Sequence, residues 1–117
     1  LGKTILILDF ITRPKKINRE QEEQIKIDKF FRNHSIYQFY ACPFCVKIRR
    51  YIRKNSLNIE LRDAKDNKYF RAELKKYGGK IQVPCLRIEK DNNVEWVYES
   101  KDIVNYFNNI LNHEKLQ

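Results

Sequence analysis

The residue pattern predicts a single α/β domain with a mixed four-stranded sheet flanked by helices, and three stretches carry that expectation. Ser35 to Ala41 is rich in β-branched and aromatic residues and reads as a first, central strand. Pro43 to Asn55 follows at once with helical spacing: Ile48, Tyr51 and Ile52 share one face, while Lys47, Arg49, Arg50, Arg53 and Lys54 lie elsewhere. Near the end, Ile103, Val104, Phe107, Ile110 and Leu111 recur at helical spacing and predict a last helix capped by Ser100.

The stretches between them complete the order α, βαβ, αββα. Asn58 to Arg62 is a second short strand, so the first strand, its helix and this one form a right-handed crossover with the strands parallel. Asp66 to Tyr77 reads as a helix stopped by Gly78-Gly79, since glycine takes the left-handed conformation that ends helices. Pro84 to Glu89 and Val94 to Glu99 are strands joined by Lys90 to Asn93, where Asp91-Asn92-Asn93 favours a hairpin turn.

Upstream, Arg19 to Asn33 reads as an added helix packed on the domain through Ile27, Phe30 and Phe31. Asn18 followed by Gln21 resembles a capping box, with Glu20, Glu22 and Glu23 in the first turn and Lys29 and Arg32 in the last. Leu1 to Ile11 is apolar and closed by Pro14; it fits a strand, a helix end or the remnant of a membrane anchor. Thr4 to Leu8 alone is too short to span a bilayer, which takes roughly 20 residues. As an anchor remnant it would leave Arg13, Lys15 and Lys16 on the cytoplasmic side of an inner membrane. The chain thus divides into an extension, residues 1–34, and a domain, residues 35–117.

The 117 residues include 24 Lys and Arg against 15 Asp and Glu, so a net charge of +9 draws anions: small anionic thiols, acidic proteins, nucleic acid or anionic lipid. No aromatic-and-basic recognition motif accompanies the charge, and nucleic acid is not expected as a partner. Three cysteines, two of them close together, do not make a secreted disulfide framework; a reducing, cytoplasmic setting fits better.

Those two cysteines are Cys42-Pro43-Phe44-Cys45, at the junction of the first strand and its helix. With the helix starting at Pro43, Cys42 is its N-cap, where free N–H groups and the helix dipole favour a thiolate. Proline suits the first helical position, which needs no N–H and a fixed φ. Cys45 lies about one turn on and can reach back to Cys42, supplying a resolving thiol for thiol–disulfide exchange.

This order around a C-x-x-C resembles a thioredoxin-like domain of the glutaredoxin family, over roughly residues 35–111. Three motifs carry the resemblance: Cys42-Pro43-Phe44-Cys45, one aromatic swap from the C-P-Y-C of dithiol glutaredoxins; Gln82-Val83-Pro84, similar to the T-V-P segment with its cis-proline; and Glu99-Ser100, where the family holds the γ-glutamyl end of glutathione. The resemblance implies a glutathione-dependent disulfide oxidoreductase, reducing protein disulfides or glutathionylated proteins, with Cys42 as nucleophile and Cys45 as resolver. It implies a glutathione site of Phe44, Gln82, Val83, Pro84, Glu99 and Ser100, with glutathione as co-substrate; no metal is expected, because Pro43 argues against the iron–sulfur cluster known in some members and the ligands of a zinc site are incomplete. A cis Pro84 would leave the main chain of Val83 free to pair with an extended thiol peptide, and Ser100 would offer helix-start N–H groups to a carboxylate.

There are departures and rival readings. Many glutaredoxins place Lys or Arg where this chain has Phe39, so Lys80 or Arg49 would have to supply that cation. Cys85, directly after Pro84, is read as a small buried strand residue near the active site. His34 and His113 are read as solvated or capping residues, and Trp96 and Tyr98 as sheet residues. A C-x-x-C is half a zinc site, but four ligands are needed and no second pair exists. The alternative function is a non-catalytic adaptor that keeps the fold and binds glutathione or an iron–sulfur cluster.

Overall fold

A computed structural model describes residues 15–112 together with Leu6 and Ile7. The elements are α1 (Gln21–Phe30) with a 3₁₀ turn Phe31–Asn33, β1 (His34–Gln38), α2 (Pro43–Lys54), β2 (Glu60–Asp63), α3 (Lys68–Glu73), β3 (Cys85–Glu89), β4 (Val94–Val97) and α4 (Ser100–Asn112). The sheet runs in the order β2-β1-β3-β4. β1 and β2 are parallel, and β3 is antiparallel to both β1 and β4. This is the expected thioredoxin-like α/β fold, a mixed four-stranded sheet with β1 inside it. The Leu1 to Ile11 reading lies outside the described residues apart from Leu6 and Ile7, as does His113. Among the described residues no helix is long and apolar enough to cross a membrane.

Because successive strand residues point to opposite faces, β1 feeds two cores. Ile36 joins Leu86, Ile88 and the apolar sides of α1, α2 and α4 in the larger one, which includes Ile27, Phe31, Ile48, Ile52, Ile103 and Phe107. Tyr37 joins Cys85, Ala64 and Leu74 in the smaller one, beside Phe70, Trp96 and Tyr98. The added helix α1 therefore packs on the domain as its spacing indicates.

Several local expectations are corrected. The N-cap of α1 is Glu20, with no side-chain cap, so Asn18 and Gln21 form no capping box. Arg19 instead reaches the carbonyl oxygens of Asn55 and Ser56, which moves the helix start to where the chain is held against the end of α2. Ser100 is the first residue inside α4 and not its cap; Ile103 N–H donates to the Glu99 carbonyl at 2.9 Å. β4 ends at Val97 and α3 is short, continuing into a wider π-type turn, Leu74–Gly78.

The two glycines after α3 do different jobs. Gly79 takes φ +98°, the left-handed stop. Gly78 is instead a close approach: a Cβ there would fall 2.3 Å from Tyr98 Oη. His34 is buried and not solvated or capping. Its ring nitrogens lie 2.8 Å from Asn33 Oδ1 and 2.8 Å from Tyr106 Oη, and it packs among Phe30, Phe31 and Tyr106.

Candidate active site

After Gln38 the chain leaves the sheet, and Cys42 N–H closes a turn on the Phe39 carbonyl at 3.2 Å. Cys42 is extended (φ −72°, ψ 128°) and is the N-cap of α2, with Pro43 in the first turn and Val46 N–H donating to the Cys42 carbonyl at 2.9 Å. The Cys42 side chain makes no capping hydrogen bond. The sulfur therefore sits beside the amides that open α2 without being tied to one of them, and it is part exposed.

Cys45 is buried on the inner side of the first turn of α2, within electrostatic reach of the Cys42 sulfur. Burial pushes the Cys45 thiol up to about 12; a backbone hydrogen bond from Phe39 and the charge of Arg49 pull against this, and the Cys42 sulfur adds to it. Cys45 is thus held as a protonated thiol, while Cys42 is part exposed.

Of the two cations that could stand in for the one missing at Phe39, each serves a different thiol. Arg49 lies one turn beyond Cys45; it donates to Gln38 Oε1 at 2.5 Å and the Tyr40 carbonyl at 2.6 Å, and its guanidinium lies 4.9 Å from the Tyr40 ring centroid. It clamps the segment between β1 and Cys42, and its charge reaches Cys45. Lys80 lies over the Tyr98 ring at 4.7 Å, and its charge reaches Cys85. Gln38 and Tyr40, the partners of Arg49, were not singled out from the sequence; a buried glutamine at the exposed end of a strand is the signal that could have found them.

The strand register gathers the remaining predicted residues at the same end of the sheet. Tyr37 pairs with Cys85, which sets Pro84 level with Gln38; Val97 pairs with Leu86, which sets Glu99 level with Pro84. The Val83–Pro84 peptide is cis. Pro84 is buried, Gln82 and Val83 are half-buried, Glu99 is exposed, and Ser100 is half-buried at the start of α4. Phe44 stands out from α2 with 61% of its surface exposed, beside an equally prominent Tyr40 at 62%. The two exposed rings flank Cys42 in sequence, two residues to either side.

Cys85 follows Pro84 in sequence, but strand alternation turns its side chain away from α2, into the core with Tyr37, Ala64 and Leu74. Burial pushes its thiol up to about 12, with the Tyr98 hydroxyl, Lys80 and the Val97 backbone pulling it down. Among the described residues no group of three or more His, Cys, Asp or Glu is placed to hold a metal ion.

A thioredoxin-like sheet with a C-x-x-C at the start of the helix after β1, and a cis-proline at the same end of the sheet, defines a protein of the thiol–disulfide oxidoreductase type. Residues 35–92 match the family model Glutaredoxin, and through this stretch the chain belongs to the glutaredoxin family. No curated protein and no solved structure matched the chain.

Proposed function

We propose that this glutaredoxin uses glutathione to reduce protein disulfides or glutathionylated proteins through a Cys42 thiolate. The observation that carries the reading is the pair of unlike thiols at the start of α2: Cys42 part exposed at the N-cap, Cys45 buried one turn on. In the first step the Cys42 thiolate attacks the glutathione sulfur of a glutathionylated client. A Cys42–glutathione mixed disulfide forms, and the client leaves as its thiolate. A second glutathione, as thiolate, then attacks the glutathione sulfur of that mixed disulfide, releasing oxidised glutathione and restoring the Cys42 thiolate. With a protein disulfide the first bond forms to the client, and glutathione or Cys45 resolves it.

Burial of Cys45 bears on which route dominates. To resolve the mixed disulfide Cys45 must lose a proton from a desolvated site, and although loss of the Cys42 charge eases this, the burial cost stays. An external glutathione thiol carries no such cost, which favours the monothiol route against the proximity of Cys45. Glutathione itself would lie across the sheet end: its cysteine against the Val83 backbone next to cis-Pro84, its γ-glutamyl carboxylate at Glu99-Ser100 where α4 begins, its body against Phe44 and Gln82.

The test is turnover of a glutathionylated peptide by the purified chain with glutathione as reductant. Cys42→Ser should lose all activity above the uncatalysed rate, and Cys45→Ser should keep most of it. Full activity in Cys42→Ser would sink the proposal; equal loss in both variants would leave the enzyme and replace the monothiol route with the dithiol one.

A further inference from the structure

A basic cavity lies along the C-terminal part of α2 and shares Arg49 with the surroundings of the thiols. Its volume is about 480 Å³, within the range of small-ligand sites. Four cations line it, Lys16, Arg19, Arg49 and Arg53, and among the described residues no carboxylate does. The walls between them are apolar: Ile17, Ile52, Leu57 and Leu61, of which Ile17 and Leu61 stand at the rim, 42% and 43% exposed. Two hydrogen bonds, one main-chain and one from a side chain, join the two sides of the cavity. Ile17 N–H donates to the Lys54 carbonyl at 3.0 Å, and Ser56 Oγ donates to the Ile17 carbonyl at 2.7 Å.

The cations are under-compensated. The Arg19 side chain is only 8% exposed, yet its nearest carboxylate, the largely exposed Glu23, is 4.0 Å from Nε. Its Nη1 is spent on neutral oxygens: Gln24 Oε1 at 3.2 Å and the carbonyls of Asn55 and Ser56. The Arg53 Nε is enclosed without a hydrogen-bond partner. Asp28, behind the cavity, is taken up by the amides of Gln24 and Asn58, each at 2.8 Å. A buried guanidinium held by neutral oxygens and one distant, exposed carboxylate keeps positive charge that a multiply charged oxyanion would offset.

We propose that this cavity binds a phosphate monoester, with the phosphate among Arg19, Arg53 and Lys16 and an apolar ester group against Ile17, Ile52, Leu57 and Leu61. Two planar guanidinium groups and one ammonium suit the dianionic, multi-oxygen phosphate better than a single carboxylate. The volume and the apolar walls call for an organic group on it. The same chemistry is offered by a free phosphorylated metabolite and by the headgroup of phosphatidic acid.

The experiment follows backbone amide resonances of the full chain titrated with phenyl phosphate, with inorganic phosphate, and with phosphatidylcholine vesicles with and without phosphatidic acid. Phenyl phosphate should move the amides of Ile17, Ser56 and Leu57 to saturation at millimolar concentration or below, with inorganic phosphate several-fold weaker at the same amides. Arg53→Gln should weaken phenyl phosphate about tenfold and the exposed Lys16→Gln several-fold, each in a chain whose spectrum shows it folded. Lys75→Gln, exposed on the turn after α3 and outside the cavity, should change nothing. Capture by phosphatidic acid vesicles that Arg53→Gln abolishes would name a lipid as the source; saturation by phenyl phosphate without vesicle capture would name a free ester. No saturation by phenyl phosphate, equal weakening by Lys75→Gln, or inorganic phosphate binding as tightly as the ester would overturn the proposal.

Discussion

On one face of the sheet Ile36, Leu86 and Ile88 meet the apolar sides of α1, α2 and α4, whereas on the other Tyr37 and Cys85 meet α3 across a hydroxyl, a guanidinium and a carboxylate. The first face is close-packed aliphatic and aromatic, with Phe107 in contact with Phe31, Tyr51 and Tyr106. On the second, Arg62 donates to Tyr37 Oη at 2.9 Å, pairs with Glu73 at 2.6 Å and Glu60 at 2.9 Å, and lies over the Tyr37 and Phe70 rings. Burial, then the hydrogen bond to Glu73, raises the Tyr37 hydroxyl well above its ordinary range. The difference teaches where stability resides and where directionality does: the helix-rich face supplies burial, and the polar face fixes how the short α3 sits.

The largest effect should come from the apolar face. Phe107 is fully buried, and Phe107→Ala should cost about 3–5 kcal/mol in urea unfolding, the range for losing a buried aromatic ring. A loss under about 1 kcal/mol would mean that the two faces do not differ as described.

The next effect belongs to the polar exception on that same face, His34. Its pKa is lowered by burial from 6.5 to about 4. The unfolded chain therefore binds the proton first: between pH 6.5 and 4 it carries more protons than the native state, and stability falls as the pH falls. The contribution is complete above about pH 6.5 and lost by about pH 4, roughly 3 kcal/mol at 1.36 kcal/mol per pKa unit. His34→Gln should flatten the stability profile across that window, measured by urea unfolding at several pH values; an unchanged slope would remove His34 from the account.

The polar face should respond less. Glu73→Ala takes an acceptor from Tyr37 and one of two carboxylates from Arg62, and it should cost about 2 kcal/mol, since Glu60 still pairs the guanidinium. Tyr37→Phe together with Glu73→Ala should cost less than the sum of the single changes, because both remove the same hydrogen bond. Strict additivity would show that the hydroxyl and carboxylate are not coupled.

How far the sequence reveals this comparison depends on the range of the interactions. α2 and α4 are legible because their apolar spacing and their starts, Pro43 and Ser100, are local. The parallel pairing of β1 and β2 follows from the crossover rule. The site-bearing junction at Cys42 is legible for the same reason: the N-cap, the proline and the second cysteine all lie within one turn. What fails is whatever is decided by partners far along the chain. His34 looks like a surface residue until Tyr106 covers it. Asn18 looks like a cap until Arg19 finds the end of α2. The clamp of Arg49 on Gln38 and Tyr40, and the basic cavity, require the folded helix to exist first.

The smallest predicted effect separates the two buried thiols, which burial raises alike to about 12. If acidity alone chose the redox partner, Cys45 and Cys85 would compete for Cys42. Position decides instead: Cys45 shares a helical turn with Cys42, whereas Cys85 is turned into the opposite core beside Tyr37. Cys85→Ala should cost about 1 kcal/mol for the small void and leave turnover of a glutathionylated peptide unchanged. Oxidation of the native chain by one equivalent of disulfide should leave a single thiol that reacts only after unfolding. Peptide mapping should find that thiol at Cys85; a Cys42–Cys85 bridge in the map would show that the sheet does not separate the two sulfurs and that the third cysteine belongs to the redox chemistry.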